Sequence, residues 1–246
     1  CRWLLDMVQD FGAEERQWYT GQCPLVDGTK VILAPCGPNT LLVAVDSVTG
    51  GVANDTGIDG QGTFDFAGSG TVGGQVGAAG ASLKAVSAGV DSTVVTLFDD
   101  VYAQALEVNG AGTVALDGNL NGALDYYGDG IVTLSSGGTI TGNVTNATLT
   151  DAQGILMFLG DGTLAGQAGS ALASLKAVNV GGDGTNSLFS GAVYAQAFNI
   201  TGTGAATVDG DLAGAVSYQG DGTFTLGDNR VLSAAVTNDS GTDGQG

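Results

Sequence analysis

Two acidic triplets are the first residues to suggest chemistry. "DTG" at 55–57 and "DSG" at 239–241 match the loops on which an aspartic protease carries two carboxylates close enough to share one proton. The stretch "GSGTVG" at 68–73 has the spacing of a dinucleotide-binding turn, but that turn needs a helix opening at its third glycine, and "GQVGAAGAS" follows. Four Gly-Asp-Gly triplets, centred on Asp129, Asp161, Asp183 and Asp221, place carboxylates on tight turns. Their spacings of 32, 22 and 38 residues lack the nine-residue register, roughly, of a calcium-binding β-roll. Calcium is left as an opportunistic ligand of those corners, with no resident cofactor or metal. Asp99 and Asp100 in "LFDDVY" are the best acid pair for splitting a glycosidic bond, yet the matching positions 92 residues later are Gly191 and Ala192. The chain has no histidine, and Arg2, Arg16 and Arg230 are scattered. No catalytic, cofactor-binding or metal-ligating residue is therefore assigned, and the chain is expected not to be an enzyme.

The elements that carry these residues are set by an echo. "SLKAV" occurs at 82–86 and at 174–178, "VYAQA" at 101–105 and at 193–197, and aligning 63–154 with 155–246 leaves 42 of 92 positions identical. Sliding by 184 also matches "NDTGIDGQG" (54–62) with "NDSGTDGQG" (238–246). Within the long repeat, short runs of alternating apolar residues such as "TVAL" at 113–116 are separated by Gly, Asn and Asp, the residues of corners that need positive φ. Apolar markers at Phe66, Leu97, Leu116, Leu134 and Phe158 lie 31, 19, 18 and 24 residues apart, which suggests four coils averaging 23 residues. The expected fold is all-β: a parallel β-helix, or β-solenoid, of about 23 residues per coil within a 92-residue repeat. No single coil buries enough apolar surface to offset the entropy of ordering itself, so the coils must stack. Stacking at about 4.8 Å per coil would hold Asp55 and Asp239 roughly 38 Å apart, which rules out a shared proton.

On this reading 1–37 is an N-terminal cap, 38–62 a first coil, 63–154 the first solenoid repeat and 155–246 the second. Trp3, Leu4, Met7, Val8 and Phe11 have the i, i+4 spacing of a short amphipathic helix within the cap. Leu83 and Val86 are expected inside. Lys84 and Lys176 are read as surface lysines on an extra strand of a long 31-residue coil, shielding its edge.

Composition narrows the partners. Forty-four glycines, 43% hydrophobic residues and only 13% charged ones suit short strands and tight corners. A net charge of −19 repels phosphate backbones and excludes nucleic acid. The apolar runs are too short for a membrane span, and no basic-then-apolar leader opens the sequence. Cys1, Cys23 and Cys36 are all confined to the first 36 residues, which points to an oxidising compartment with the pairing left open. Asn54, Asn143, Asn146, Asn199 and Asn238 each open an N-x-S/T triplet, a pattern that a threonine-rich chain also produces by chance.

Three longer stretches carry a resemblance: "GSGTVGGQVGAAGASLKAVSAG" (68–89), "GIVTLSSGGTITGNVTNAT" (130–148) and "LFSGAVYAQAFNITGTGAATVDGDLAGAVSYQGDGTFTL" (188–226). They resemble the passenger repeats of large bacterial autotransporter surface proteins, above all rickettsial outer membrane protein B and related surface-layer antigens. The resemblance spans 63–246 and implies a right-handed β-helix displayed outside the cell, at its surface. A role as an adhesin or as the self-assembling subunit of a filament or coat follows from it. The expected partners are the chain itself, joined head-to-tail or laterally, and a host or cell-surface receptor or glycan. The alternative of another class is a carbohydrate-binding or carbohydrate-degrading β-helix, with Tyr126, Tyr127 and Tyr218 lining its groove.

Overall fold

The structure, a computed structural model, describes residues 25–27, 30–33, 43–46 and 50–244. The helix expected over 3–11 and the three cysteines lie outside the described residues. Strands β1 (Leu25–Asp27), β2 (Lys30–Leu33) and β3 (Val43–Asp46) form a three-stranded antiparallel sheet in that order. Val43–Asp46, expected in the first coil, thus pairs with β2, and the first rung of the solenoid forms at Val52. Among the described residues no helix is long and apolar enough to cross a membrane, which does not bear on strand-built barrels.

Beyond Val52 every strand-to-strand ladder is parallel, and the register resolves three faces. On the first face the inward residues climb through Val52, Val76, Val101, Leu120, Ile140, Leu164, Phe189, Val208 and Leu226. On the second they run from Phe64 through Val86, Leu106, Leu124, Val144, Ala168, Val193 and Leu212 to Leu232. On the third they run from Gly70 through Val95, Val114, Val132, Leu156, Val178, Phe198 and Val216 to Val236. Each face has nine rungs, 18 to 25 residues apart, so the turns are tighter than the 23-residue average expected.

Alternation explains the strands. In Thr113–Leu116 the residues Val114 and Leu116 are buried while Thr113 and Ala115 stay half-exposed, the pattern of a sheet with one dry face. Small corner residues let the chain turn within a few residues. Leu120 and Leu124 are only four apart, yet they lie on adjacent faces of one rung. Phe158, Phe189, Phe198 and Phe224 cross the interior edge to face, with ring centroids 5.2, 5.5 and 5.7 Å apart, an arrangement favoured by the ring quadrupole.

The register also corrects the reading of the long repeat. Val52 is on the first face and its counterpart Val144 on the second; Leu124 is on the second and Val216 on the third; Leu97 is on the third and Phe189 on the first. Ninety-two residues contain thirteen strand-and-corner segments, or four turns and one face. Equivalent groups of the two repeats are therefore a third of a turn apart and about 21 Å apart along the axis. The 31-residue coil is not a coil, because Phe66 sits on the second face and Leu97 on the third. Nor is "SLKAV" an edge. Leu83–Ala88 is flanked by Thr63–Asp65 and Val101–Val108, and Leu175–Val180 by Ile155–Phe158 and Val193–Ile200. Leu83 and Val86 are buried as expected, and Lys84 is exposed. Lys176 pairs with Asp129 at 2.5 Å.

Four described non-glycine residues, Ser92, Leu149, Ala152 and Asn229, have positive φ, and Leu149 is the largest apolar one. Leu149 has φ +59° and is 82% exposed, and its counterparts are Gly57 (φ +66°) and Gly241 (φ +72°). A left-handed conformation costs a non-glycine residue about 1–2 kcal/mol, and this side chain gains little packing in return. Leu149→Gly is expected to raise stability by about 0.5–1 kcal/mol after the extra chain entropy of glycine is counted. Urea unfolding followed by circular dichroism checks this; a loss of stability would contradict it.

Candidate functional site

The acidic residues that looked chemical are scattered by the fold and then used within it. Val52, just before Asp55, opens the first rung, and Val236, just before Asp239, closes the ninth. Their carboxylates are thus separated by more than eight turns, roughly 40 Å, and share no proton. Seven aspartates instead accept a backbone N–H from the next turn, at corners where the strand ladder is interrupted. Asp59 accepts from Ser82 (2.8 Å), Asp91 from Ala111 (2.7 Å), Asp100 from Asn119 (2.8 Å), and Asp151 from Ser174 (3.0 Å). Asp161 accepts from Asn186 (2.7 Å), Asp183 from Thr203 (3.0 Å) and Asp211 from Val231 (3.0 Å). Asn119 and Asn143 do the same for Thr139 and Gln167. Only the Asp100 bond is part-buried and the other six aspartate bonds are exposed, so each tethers one turn to the next at the place where the corner interrupts the backbone ladder.

Contacts within the scaffold account for most of the groups that looked chemical. Asp161 and Asp183, from two of the Gly-Asp-Gly triplets, are corner acceptors, and Asp129 holds Lys176. Asp100 serves Asn119 through both its N–H and its amide (2.8 and 2.9 Å), while Asp99 accepts from the N–H of Asp100 at 2.8 Å. The pair is a corner, and its two carboxylates point to different tasks. Among the described residues no group of three or more acids is arranged to hold a metal ion. Tyr126, which a carbohydrate-active β-helix would need in its groove, is fully buried on the second face and donates its hydroxyl to the carbonyl of Ile155 at 2.7 Å. Burial pushes its phenol pKa far up. Tyr127 is exposed and Tyr218 half-buried, so the three tyrosines do not line one groove.

The N-x-S/T triplets have a structural use that the sequence reading missed. Asn146 donates its amide to the carbonyls of Thr150 (2.6 Å) and Ser174 (2.9 Å), and its side-chain oxygen accepts from the N–H and hydroxyl of Thr148. Asn54 makes the same set with Ile58, Ser82 and Thr56, and Asn238 makes most of it with Thr242 and Ser240. The triplet is a corner staple binding one turn to the next. The signal was present, because these three asparagines recur at intervals of 92 whereas Asn143 and Asn199 do not.

A ladder of outward groups on the second face is acidic: Asp65, Ser87, Glu107, Asp125 and Thr145 stand in register. Ser87 donates its hydroxyl to Glu107 at 2.9 Å. Burial, opposed by a hydrogen bond from Thr145 and reinforced by Glu107, holds the Asp125 pKa above the usual carboxylate value. A raised folded pKa contributes stability that is complete below the ordinary value near 4 and lost as pH rises through the folded value. Asp125→Asn is therefore expected to stabilise the fold at pH 7 by less than about 1 kcal/mol after solvent screening, with no gain at pH 3. Thermal midpoints at the two pH values check the sign. Asp239 shows the opposite shift: hydroxyls of Ser217 (2.6 Å) and Thr237 (3.0 Å) donate to it and hold its pKa down.

The first face has a shallow open depression of about 390 Å³, lined by Asp161, Thr163, Asn186, Leu188 and Thr207 among others. A smaller one of about 180 Å³ lies beside Asn54 and Phe64. The fold and its corners thus define a β-solenoid in which polar side chains serve as ladder acceptors and staples. No protein-family model, curated protein or solved structure matches this chain.

Proposed function

We propose that the chain is a non-enzymatic structural surface protein, an adhesin or the self-assembling subunit of an extracellular filament or coat. The observation that carries this reading is the commitment of the corner carboxylates and amides to the N–H groups of the next turn, which spends on scaffold the groups an active site would need. The proposed location, outside the cell at its surface, rests on the resemblance to autotransporter passenger repeats and on the cysteines clustered in the first 36 residues. Its proposed partners are further copies of itself and a receptor or glycan on a cell.

One observation favours the alternative of a carbohydrate-active solenoid: Asp161, Asn186 and the threonines around Leu188 mix acid, amide, hydroxyl and apolar surface in one depression. A single experiment separates the two. The purified chain is assayed for sugar release from a panel of acidic and neutral polysaccharides, then imaged by negative-stain electron microscopy and tested for binding to cells. The structural reading expects rods that associate or adhere, with no sugar released. Sugar release that Asp161→Asn abolishes would replace it with the alternative.

A further inference from the structure

The three faces differ in the charge they present. On the third face the outward residues flank the inward column from Gly70 to Val236, beginning at Ser69 and Thr71 and ending at Ala235 and Thr237. Of these eighteen positions over nine rungs none is charged, on a molecule with 25 acidic residues. The second face has Asp65, Glu107, Asp125 and Asp211 in its outward columns, and the first has Asp100 and Asp209. Acids gather at the margins of the neutral stripe, for example Asp91, Asp99 and Asp117. A neutral, partly apolar centre with a charged rim is the anatomy of a protein interface.

We infer that this stripe is a lateral interface on which a second copy of the chain packs face to face and antiparallel. The inference deepens the self-assembly part of the proposed function and rests on it. Charge selects the occupant's docking face: two copies at −19 each repel, and on the third face the antiparallel approach sets no carboxylate against another, since Asp117 meets the rung of Thr201 and Asp239 the first rung. Area is sufficient. Nine rungs at about 4.8 Å by a strand of roughly 12 Å bury on the order of 500 Å² per copy, or about 1,000 Å² in all, the lower bound of a specific interface.

Side-chain volume selects the direction. One outward column reads Val94, Thr113, Ile131 and Ile155 in its lower half, then Ala177, Ala197 and Ala215 above. A two-fold axis through the rung of Ile155 sets Ile131 against Ala177, Thr113 against Ala197 and Val94 against Ala215. Larger then meets smaller on the three rungs either side of the axis, where Ile155 meets its own copy, as interdigitating sheets require. A parallel pair, turned about an axis along the solenoid, would set this column on the other one, with Val94 on Thr96 and Ile131 on Thr133 below and Ala177 on Asn179 and Ala215 on Ser217 above, so that the two sheets would splay at the lower end. The pair is isologous, with the same patch used by both copies. Asp239, which leans on Ser217 and Thr237 in the last two rungs, meets the neutral Ser69–Thr71 end of its partner.

Sedimentation equilibrium on the full chain tests this. The 24.2 kDa chain is expected to form dimers, more tightly as salt screens the repulsion. Val94→Glu and Ala215→Glu, both at exposed positions, should each weaken dimerisation by about 100-fold or more, while Thr207→Glu on the first face should not. Val94→Ala and Ala215→Val should each weaken it and the double swap restore it, a result that only antiparallel opposition of these two positions gives. Circular dichroism confirms that each variant folds. A monomer at about 100 μM, or a swap whose losses simply add, would overturn the inference. Association that survives both glutamates would also overturn it while leaving the assembly reading intact.

Discussion

Replacing Gly214 by alanine is expected to cost about 4 kcal/mol or more and to disorder the rungs around it. Gly214 sits at the corner between the second and third faces, where the register slips between Tyr194 and Ala197. Its φ is +152°, and a Cβ there would lie 1.8 Å from the carbonyl oxygen of Ala195 in the turn below. That oxygen belongs to the stacked backbone and cannot rotate away as a side chain would. Gly122 has the same 1.8 Å approach to the carbonyl of Ala103, so Gly122→Ala should behave alike in the first repeat. Gly184 is the control. Its φ is +68° with nothing within 4 Å of a Cβ, and its counterpart in the other repeat is Ser92 at φ +62°. Gly184→Ala should cost only about 1 kcal/mol. Equal losses for Gly214→Ala and Gly184→Ala in urea unfolding would contradict the packing described.

Asn146→Ala is expected to cost about 2–3 kcal/mol. The side chain is 1% exposed, and its loss removes four hydrogen bonds at once: the N–H of Thr148 loses its acceptor, while the carbonyls of Thr150 and Ser174 keep only the Thr148 hydroxyl and the Ala152 N–H. Asn146→Asp should fare little better, since a carboxylate cannot donate to two carbonyls. Asn238→Ala removes the same kind of staple from an exposed position and should cost about 1 kcal/mol. Hydrogen exchange reads the difference locally, because a stack of turns can open near a defect while distant rungs hold. Protection around Ser174 should fall in Asn146→Ala; unchanged protection there would contradict the stapling role.

The sequence made some levels of this organisation legible and hid others. The repeat and the solenoid could be read because alternation in runs such as "TVAL" and the echo of "VYAQA" are direct marks of short strands in a stacked array. The extra third of a turn could not. Val, Leu and Phe line all three faces, as Leu120, Leu124 and Val132 do within one turn, so residue type does not say which face a segment occupies. Taking Phe66 and Leu97 as neighbours followed from that. The acids were rightly placed on turns, but their bonds to the next turn could not be read, because an aspartate in a glycine-rich turn looks the same whether it faces water or caps the next turn. Recurrence was the available clue, since Asp59 with Asp151 and Asp91 with Asp183 keep both position and partner, whereas Asp99 and Asp100 have no acidic counterpart.

The central claim is the register that makes 92 residues four turns and one face. Cysteine pairing measures it directly, in a chain whose Cys1, Cys23 and Cys36 are changed to serine, because two cysteines bridge only when their Cα atoms are about 4.4–6.8 Å apart. Asp65→Cys with Ser87→Cys, and Thr96→Cys with Ala115→Cys, are partners in the ladders and should oxidise to intramolecular disulfides. Asp65→Cys with Thr96→Cys tests the four-coil register, in which a 31-residue turn would stack those positions; here they lie on different faces and should stay reduced. A disulfide in that third pair, with none in the first, would contradict the account.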